Sequence, residues 1–598
     1  MSSVVRIGNA QGFWGDRGSA AAELLAREPD LDYLTLDYLA EVSLSIMAVQ
    51  RDRDPNAGYA RDFIEVVRSL ADYFKNGGRC RIVTNAGGLN PQGCAAACVA
   101  VLAQAGCPPL NIAVVSGDDV LELLRSTETE GSAECTAQSA KCKFENLDSG
   151  HPLATVRDRL VTANAYVGAA PIVEALRLRA DIVITGRTAD PSLTVAPCVH
   201  HFGWSLTDWD RLAGATVAGH LIECGVQVTG GISTDWLEMP DSADLSFPIV
   251  EVADDGSCVV TKPADTGGCV DERTVKEQLV YEIGNPDEYL SPDVSVSFQS
   301  LTVADLGSDR VRVSGARGRP APKMLKVSAT HRDGFRAAGT LTIFGRDAVT
   351  KARRAGEIVL QRVRNAGFEL RDSFIECLGT GASVPAVPSR IDESQFLETV
   401  LRIAVEANDR AAVECFAREL MPLVTAGPQG TTGYAEGRPH PHPVFRYWPC
   451  LIERDLVHPK VELVSETSRR LGPAQRRPTS MDSNGEPALR WSHSTERPQR
   501  LADLAYARSG DKGTGANIGV VARSPEGYDL LLARLTAECV GEFFASMGVT
   551  EVTRYELPNL HALNFVVKGI LSRPLRVDAQ GKALGQALLE MPWPGDQP

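Results

Sequence analysis

Asp181-Ile182-Val183-Ile184-Thr185-Gly186-Arg187-Thr188-Ala189-Asp190-Pro191 is the stretch that decides how this chain folds. Its centre is apolar on both faces, the pattern of a buried parallel strand rather than a half-solvated one. The run then breaks off at a glycine, an arginine and an acid. Three earlier runs end the same way: residues 6–9 at Gly8-Asn9, 33–37 at Asp37, and 81–85 at Asn85. Open α/β sheets bind ligands at the carboxyl ends of their parallel strands, so chemistry is expected where these runs stop.

Outward from that stretch, the first 245 residues alternate strand and helix. Strands are expected at 4–7, 33–36, 80–84, 112–115 and 182–185, with helices over 19–27, 60–75, 93–105, 120–126 and 165–178. Such alternation implies βαβ units with right-handed crossovers and a mostly parallel sheet flanked by helices. After about residue 245 the texture changes. Two apolar runs at 249–252 and 258–260 flank Asp255-Gly256, a hairpin signal, and short alternating runs continue at 294–298, 311–313, 324–330 and 340–344. Residues 246–464 therefore read as a mixed, β-rich segment, with helices expected over 348–366 and 393–420 and a strand near 374–378.

Residues 465–500 carry Arg-Arg, Pro-Thr-Ser and Asn-Gly-Glu-Pro with few aliphatic side chains, which reads as a flexible interdomain linker. Residues 501–598 form a module of domain size, α+β in pattern. Its strands are expected at 504–508, 517–522, 551–556 and near 575–577, and its helices at 528–547 and 560–570. The domain plan is thus 1–464, divisible at 245, then the linker, then the C-terminal module.

Composition bounds the function. The 598 residues exceed one hydrophobic core, and 43% apolar with 23% charged residues is ordinary for a globular protein. A net charge of −15 argues against a nucleic-acid partner, which needs clustered Lys and Arg. No apolar stretch approaches the roughly 20 residues that span a bilayer, and the chain enters a strand without a signal-peptide core, so a cytoplasmic protein with no membrane contact is expected. The 14 cysteines show no paired zinc spacing and read as reduced core residues.

The strand-end motifs supply candidate chemistry. Gly8, Asn9, Gly12 and Gly15 form a turn whose backbone N–H groups can approach an anion, although the spacing is not a dinucleotide fingerprint and simple turn geometry asks for the same glycines. Asp37 and Glu41 stand one helical turn apart, suited to acid–base work or a divalent metal, and equally to capping a helix. Asn85, Gly87 and Asn90 form an amide-rich loop ahead of Pro91. Arg187 suits a bidentate carboxylate or phosphate contact, with Asp190 as its orienting partner or as a base; a structural Arg–Asp pair is the competing reading. In Glu223-Cys224-Gly225-Val226-Gln227, Glu223 is favoured over Cys224, because a thiol without an assured base is a weak nucleophile. In the C-terminal module, Arg508 and Lys512 flank Asp511 in a tight charged loop able to clamp an anion.

Together these motifs resemble the acyclic terpene utilisation family, AtuA-like proteins. The resemblance is carried by Gly8-Asn9-Ala10, Asp37-Tyr38-Leu39-Ala40-Glu41, residues 85–91, Gly186-Arg187-Thr188-Ala189-Asp190 and Glu223-Cys224-Gly225-Val226-Gln227. Residues 276–282 and Gly427-Pro428-Gln429-Gly430 add to it. Arg508-Ser509-Gly510-Asp511-Lys512-Gly513 with residues 554–560 resembles the ferredoxin-like domain found in or beside those proteins. The resemblance implies bacterial breakdown of geraniol- and citronellol-type acids as CoA thioesters, and it brings no settled catalytic residues.

The expectation is a lyase of the hydratase/dehydratase kind acting on a branched-chain carboxylate or its CoA thioester. Asp37, Glu41, Glu223 and Asp190 are its candidate acids and bases. Gly8, Asn9, Gly12, Asn85, Gly87, Asn90, Arg187, Gln227, Arg508 and Lys512 are its candidate substrate contacts. The cofactor stays open, with a divalent metal as one option and CoA as part of the substrate. A small anionic substrate and a homo-oligomer are the expected partners. The alternative is a non-catalytic partner subunit of a CoA-dependent carboxylase complex.

Overall fold

A computed structural model describes residues 4–40, 42–126, 144–387, 392–465 and 499–593. The expected linker lies, but for its ends, outside the described residues, and so does Glu41. The fold is mixed α/β and divides into two compact units. One holds the described residues up to 329, those of 448–465, and 556–562; the other holds 330–447 and the rest of the C-terminal segment.

The first unit is built on a ten-stranded sheet. Its centre is five parallel strands: β1 (Val4–Asn9), β2 (Tyr33–Leu36), β3 (Arg81–Thr84), β4 (Ile112–Ser116) and, after β5 (Leu160–Ala165) of another sheet, β6 (Ile182–Thr185). They lie in the order β1-β2-β3-β6-β4, so β6 is inserted between β3 and β4. β7 (Ile249–Ala253) and β8 (Cys258–Thr261) form the expected hairpin and continue the sheet antiparallel from β1. Val311–Ser314 and Thr302–Asp305 complete that edge, and Lys460–Ser465 closes the other against β4. Every residue of β2 and β6 is buried, which is what a Val/Ile/Leu run covered by helices on both faces requires.

The helices form where small and aliphatic residues recur at helical spacing. Pro91–Gln104 starts with proline in its first turn and buries Cys94, Ala95, Cys98, Val101 and Leu102, while Ala20–Arg27 buries Ala20, Ala21, Leu24 and Leu25. Several expectations need correction. Residues 60–75 are two short helices, Asp62–Ser69 and Ala71–Lys75. The expected helix 165–178 starts later, at Ala170, because strand β5 runs up to Ala165. Helices Ser43–Arg53, Ser192–Phe202 and Trp209–Ile222 carried no recognised signal.

In the second unit, Asp372–Leu378 and Glu398–Ala407 pair antiparallel, and the later residues of the long strand Met324–Phe344 pair with the second of them. Helices Ala348–Asn365 and Arg410–Leu420 contribute Val359, Val363, Val413 and Phe416 to the core beneath. The helix expected over 393–420 is therefore shortened: Thr399, Leu401, Ile403 and Val405 are buried at every second position, and Asp409 caps a helix that starts only at Arg410.

The C-terminal segment forms a four-stranded sheet in the order Ala505–Lys512, Gly515–Ala522, Ala562–Lys568, Glu551–Leu557, with helices Pro525–Arg534 and Ala537–Phe543. Here the expected helix 560–570 is a strand, since Leu563, Phe565 and Val567 point inward with period two. The expected single helix 528–547 is split at Leu535-Thr536, where Thr536 caps the second half through Cys539 N–H. Arg508 and Lys512 are strand residues, and the turn lies beyond them at Gly513-Thr514, so the expected charged loop is not a loop. The strand expected near 575–577 is instead part of a turn closed by Arg576 N–H to the Arg573 carbonyl at 3.3 Å.

Candidate functional site

Parallel pairing puts the ends of five strands along one margin. Leu36 pairs with Thr84, Thr84 with Ile184, and Thr185 with Val115, so Asp37, Asn85, Gly186-Arg187 and the loop after β4 emerge side by side. The insertion of β6 places that margin at a reversal of strand order, where open α/β sheets form their crevice.

Asp37 and Asn85 are locked together. Asn85 Nδ2 donates to Asp37 Oδ1 at 2.7 Å, and Asn85 Oδ1 accepts from Tyr38 N–H at 2.7 Å. Leu39 N–H adds a third bond to Asp37 Oδ1 at 3.1 Å. Asp37 is 5% exposed, and burial pushes its carboxyl up to about 6 against the pull of Arg187, Asn85 and Leu39, with the charge of Glu223 adding to the rise. A carboxyl placed there exchanges its proton near neutrality. Ser43–Arg53 has Val42 rather than Asp37 at its start, so the capping reading of Asp37 is not the geometry seen.

Arg187 is 3% exposed and lies with its guanidinium carbon 4.1 Å from the Tyr166 ring centroid. It donates through Nη1 to the Leu39 carbonyl and pairs through Nη2 with Asp190 at 3.3 Å. Asp190 keeps 31% of its side chain exposed, so it stands on the solvent side of the buried arginine. The backbone of Arg187 is fixed by a residue the sequence did not single out: Asp118 accepts Arg187 N–H at 2.8 Å and Asn164 Nδ2 at 2.8 Å. Gly186 makes that contact possible, because a Cβ there would sit 2.3 Å from Asp118 Oδ1. Burial pushes the Asp118 carboxyl up to about 6 as well, against those two bonds.

Glu223 follows helix Trp209–Ile222 and reaches the same neighbourhood. His220, one turn earlier, sets its Nδ1 3.1 Å from Glu223 Oε1 and its Nε2 3.0 Å from the Gln278 carbonyl. A carbonyl only accepts, so Nε2 carries a hydrogen; Nδ1 and Glu223 Oε1 then share one proton between them. That pair is a proton donor in one state and an acceptor in the other. The first glycine turn packs on this loop, since a Cβ on Gly12 would fall 2.6 Å from the Cys224 carbonyl carbon. Tyr289 lies beside both acids: its phenol is pushed well up, first by burial and then by Glu223 and Asp190. Burial likewise pushes the Cys224 thiol well up, away from nucleophile chemistry.

Asp37, Asn85, Arg187, Asp190 and Glu223 thus come together. Asn9 is buried nearby; its Oδ1 accepts Gln11 N–H and its Nδ2 donates to Thr35 Oγ1. Asn90 is turned elsewhere: it caps Pro91–Gln104 through Gly93 N–H and ties down the carbonyls of Asn56 and Ala57. Gly8 is packed against Leu24 and Leu31, Gly87 against Pro91 and the Thr185 carbonyl, and Gln227 sits half-buried in the 3₁₀ turn Gly225–Gln227. Arg508 belongs to the second unit, where it is buried, and the Lys512 side chain lies outside the described residues. Tyr166, Gln278, Tyr289, Asp118 and Asn164 were missed. Asp118 follows β4 as Asp37 follows β2, so strand-end position alone pointed to it.

Among the described residues no group of three or more His, Cys, Asp or Glu side chains is arranged to hold a metal ion, and no helix is long and apolar enough to cross a membrane. A surface cavity of about 370 Å³ lies elsewhere in the first unit, lined by Asp287, Ser297, Gln299, Ser300, Arg317 and Arg319. Its arginines are answered by Asp210 and Asp287.

No curated protein and no solved structure matches the chain. Two families do. The AtuA ferredoxin-like domain matches residues 499–594, and the family described as acyclic terpene utilisation family protein AtuA matches residues 5–463. With most of its length so covered, this chain belongs to the acyclic terpene utilisation family, AtuA.

Proposed function

We propose that the protein is a lyase of the hydratase/dehydratase type, acting on a branched-chain carboxylate or its CoA thioester in acyclic terpene breakdown. The observation that carries this reading is the pairing of two different proton-exchanging groups around one arginine: Asp37, held near pH 6, and the Glu223–His220 pair. Removing water from a β-hydroxy acid needs a base for the α-proton and an acid for the departing hydroxyl. The base takes the proton, the electron pair forms the double bond, and the hydroxyl leaves as water with the acid's proton. Asp37 in its ionised state serves as the base, and the Glu223–His220 pair in its protonated state as the acid; hydration runs the same steps backwards. Arg187 receives the substrate carboxylate by exchange for Asp190, which faces solvent and pairs with its Nη2. For a thioester, the same guanidinium polarises the carbonyl oxygen as the enolate forms.

The test is turnover and binding of the purified chain with C10 branched 3-hydroxy acids, their 2-enoic counterparts and the CoA thioesters of both. Interconversion with loss or gain of water, abolished in Glu223→Gln, is the expected result. A chain that converts none of them, shows no melting shift with any, and co-purifies with a CoA-dependent carboxylase is a partner subunit instead.

A further inference from the structure

Among the described residues, the second unit carries a buried arginine with no ion-pair partner of its own. Arg573-Pro574-Leu575-Arg576 is a turn, closed by Arg576 N–H to the Arg573 carbonyl at 3.3 Å, with proline at the position whose φ the ring already supplies. A turn of this kind brings its first and fourth residues together. The turn is pinned from below: Arg402 Nη1 donates to the Leu575 carbonyl at 2.7 Å, Val577 N–H donates to Glu376 Oε1 at 3.1 Å, and Leu575 is buried. Arg573 leans over the Phe374 ring, 5.9 Å from its centroid, and is itself exposed.

Arg576 is 6% exposed, and its Nε and Nη1 are buried without a hydrogen-bond partner. Two carboxylates stand close enough to feel it, and both are already engaged. Glu376 accepts from Arg402 Nη1 at one oxygen and from Val577 N–H at the other; Asp578 accepts Lys582 N–H at 2.9 Å and Ala583 N–H at 3.0 Å. Burial, reinforced by Arg573, holds the Arg576 guanidinium below its usual value. Leaving a buried guanidinium unpaired beside a like charge is costly, and a protein that keeps the arrangement needs a counter-charge.

We propose that the turn 573–576 is a binding site for a phosphoryl group, with Arg576 as its buried fork and Arg573 as its exposed second cation. Two guanidiniums with no free carboxylate between them suit a dianion with several oxygens better than a single carboxylate. The assignment is independent of the reading of the Asp37 cluster.

The probe is inorganic phosphate, titrated into the full chain by calorimetry and melting curves at fixed ionic strength, with acetate as the carboxylate control. Expected are saturable phosphate binding with a rise in melting temperature, no comparable effect of acetate, and about tenfold or greater weakening in Arg576→Met. Arg573→Gln weakens binding less. Without phosphate, Arg576→Met melts at or above the parent, because it removes an unanswered charge. The proposal is overturned if phosphate does not saturate, if acetate binds equally, if Arg576→Met retains binding, or if that variant melts lower without phosphate, the mark of a purely structural arginine.

Discussion

Burial and an adjacent arginine pull the Asp37 carboxyl in opposite directions, and burial wins: the group rises from an ordinary 3.8 to about 6. The protonated form is therefore the one the fold prefers, and the native state holds a proton there that the unfolded chain has lost between those two values. Stability from this group is full below pH 3.8 and falls as pH rises to 6, a cost on the order of 3 kcal/mol. Asp37→Asn mimics the protonated state. Its urea midpoint relative to the parent is expected to rise steadily from pH 4 to pH 7 and then level off, while turnover is lost throughout; a difference independent of pH removes the buried-carboxyl argument. Arg187 calls for a different substitution. Its identity suggests that alanine would abolish binding and spare the fold, yet at 3% exposure, stacked on Tyr166 and bound to Leu39, it is part of the packing. Arg187→Ala is expected to cost about 3–5 kcal/mol, because it leaves Asp37 without its cation. Arg187→Lys keeps the charge and most of the packing, and should fold while losing the bidentate grip, seen as a raised KM.

Asn90 and Asn85 sit in one loop and look alike in sequence, and they separate at the level of elements. Asn85 turns toward Asp37; Asn90 closes the start of Pro91–Gln104 and braces residues 56 and 57. Asn90→Ala is expected to lower stability by about 1–2 kcal/mol with kcat/KM within twofold of the parent, measured by urea unfolding and steady-state kinetics. A selective loss of activity would return Asn90 to the site. The parallel strands were legible because burial on both faces leaves continuous runs such as 181–185, and with them the margin that carries Asp37, Asn85 and Arg187. The strands Glu398–Ala407 and Ala562–Lys568 were not, since Ala, Leu, Asn and Lys serve a helix as readily and only the period-two burial of Leu401, Ile403, Leu563 and Phe565 decides. Tyr289 and Asn164 escaped for another reason: each is tied to the site only by partners far away in sequence, Tyr289 by Glu223 and Asp190, Asn164 by Asp118.

Over the whole molecule the two units should respond to acid differently. In the first, Asp37 and Asp118 are both pushed up to about 6 by burial, so two groups take up protons on folding between about pH 4 and 6, while His200, pushed down to about 4 by burial and by Arg81, gives one up; the strand-end region, with two such groups against one, gains stability as pH falls through that window. In the second, Asp333 is held below its ordinary value: burial opposes the shift, but Arg446 and Arg371 outweigh it, and the same two arginines also grip the buried Glu406. Its contribution is present above pH 3.8 and is lost only as pH falls below that, so nothing changes there between pH 7 and 5. Hydrogen exchange read by mass spectrometry, corrected for intrinsic rates, is expected to show slower opening at pH 5 than at pH 7 for peptides covering residues 33–40, 81–90, 112–118 and 182–190. Peptides covering 330–344 and 398–407 should open equally at both, and faster only below about pH 4. Uniform behaviour across the two units, or protection at the strand ends that falls on acidification, would mean that the carboxyls along the sheet margin are not held in the protonatable state on which their acid–base role depends.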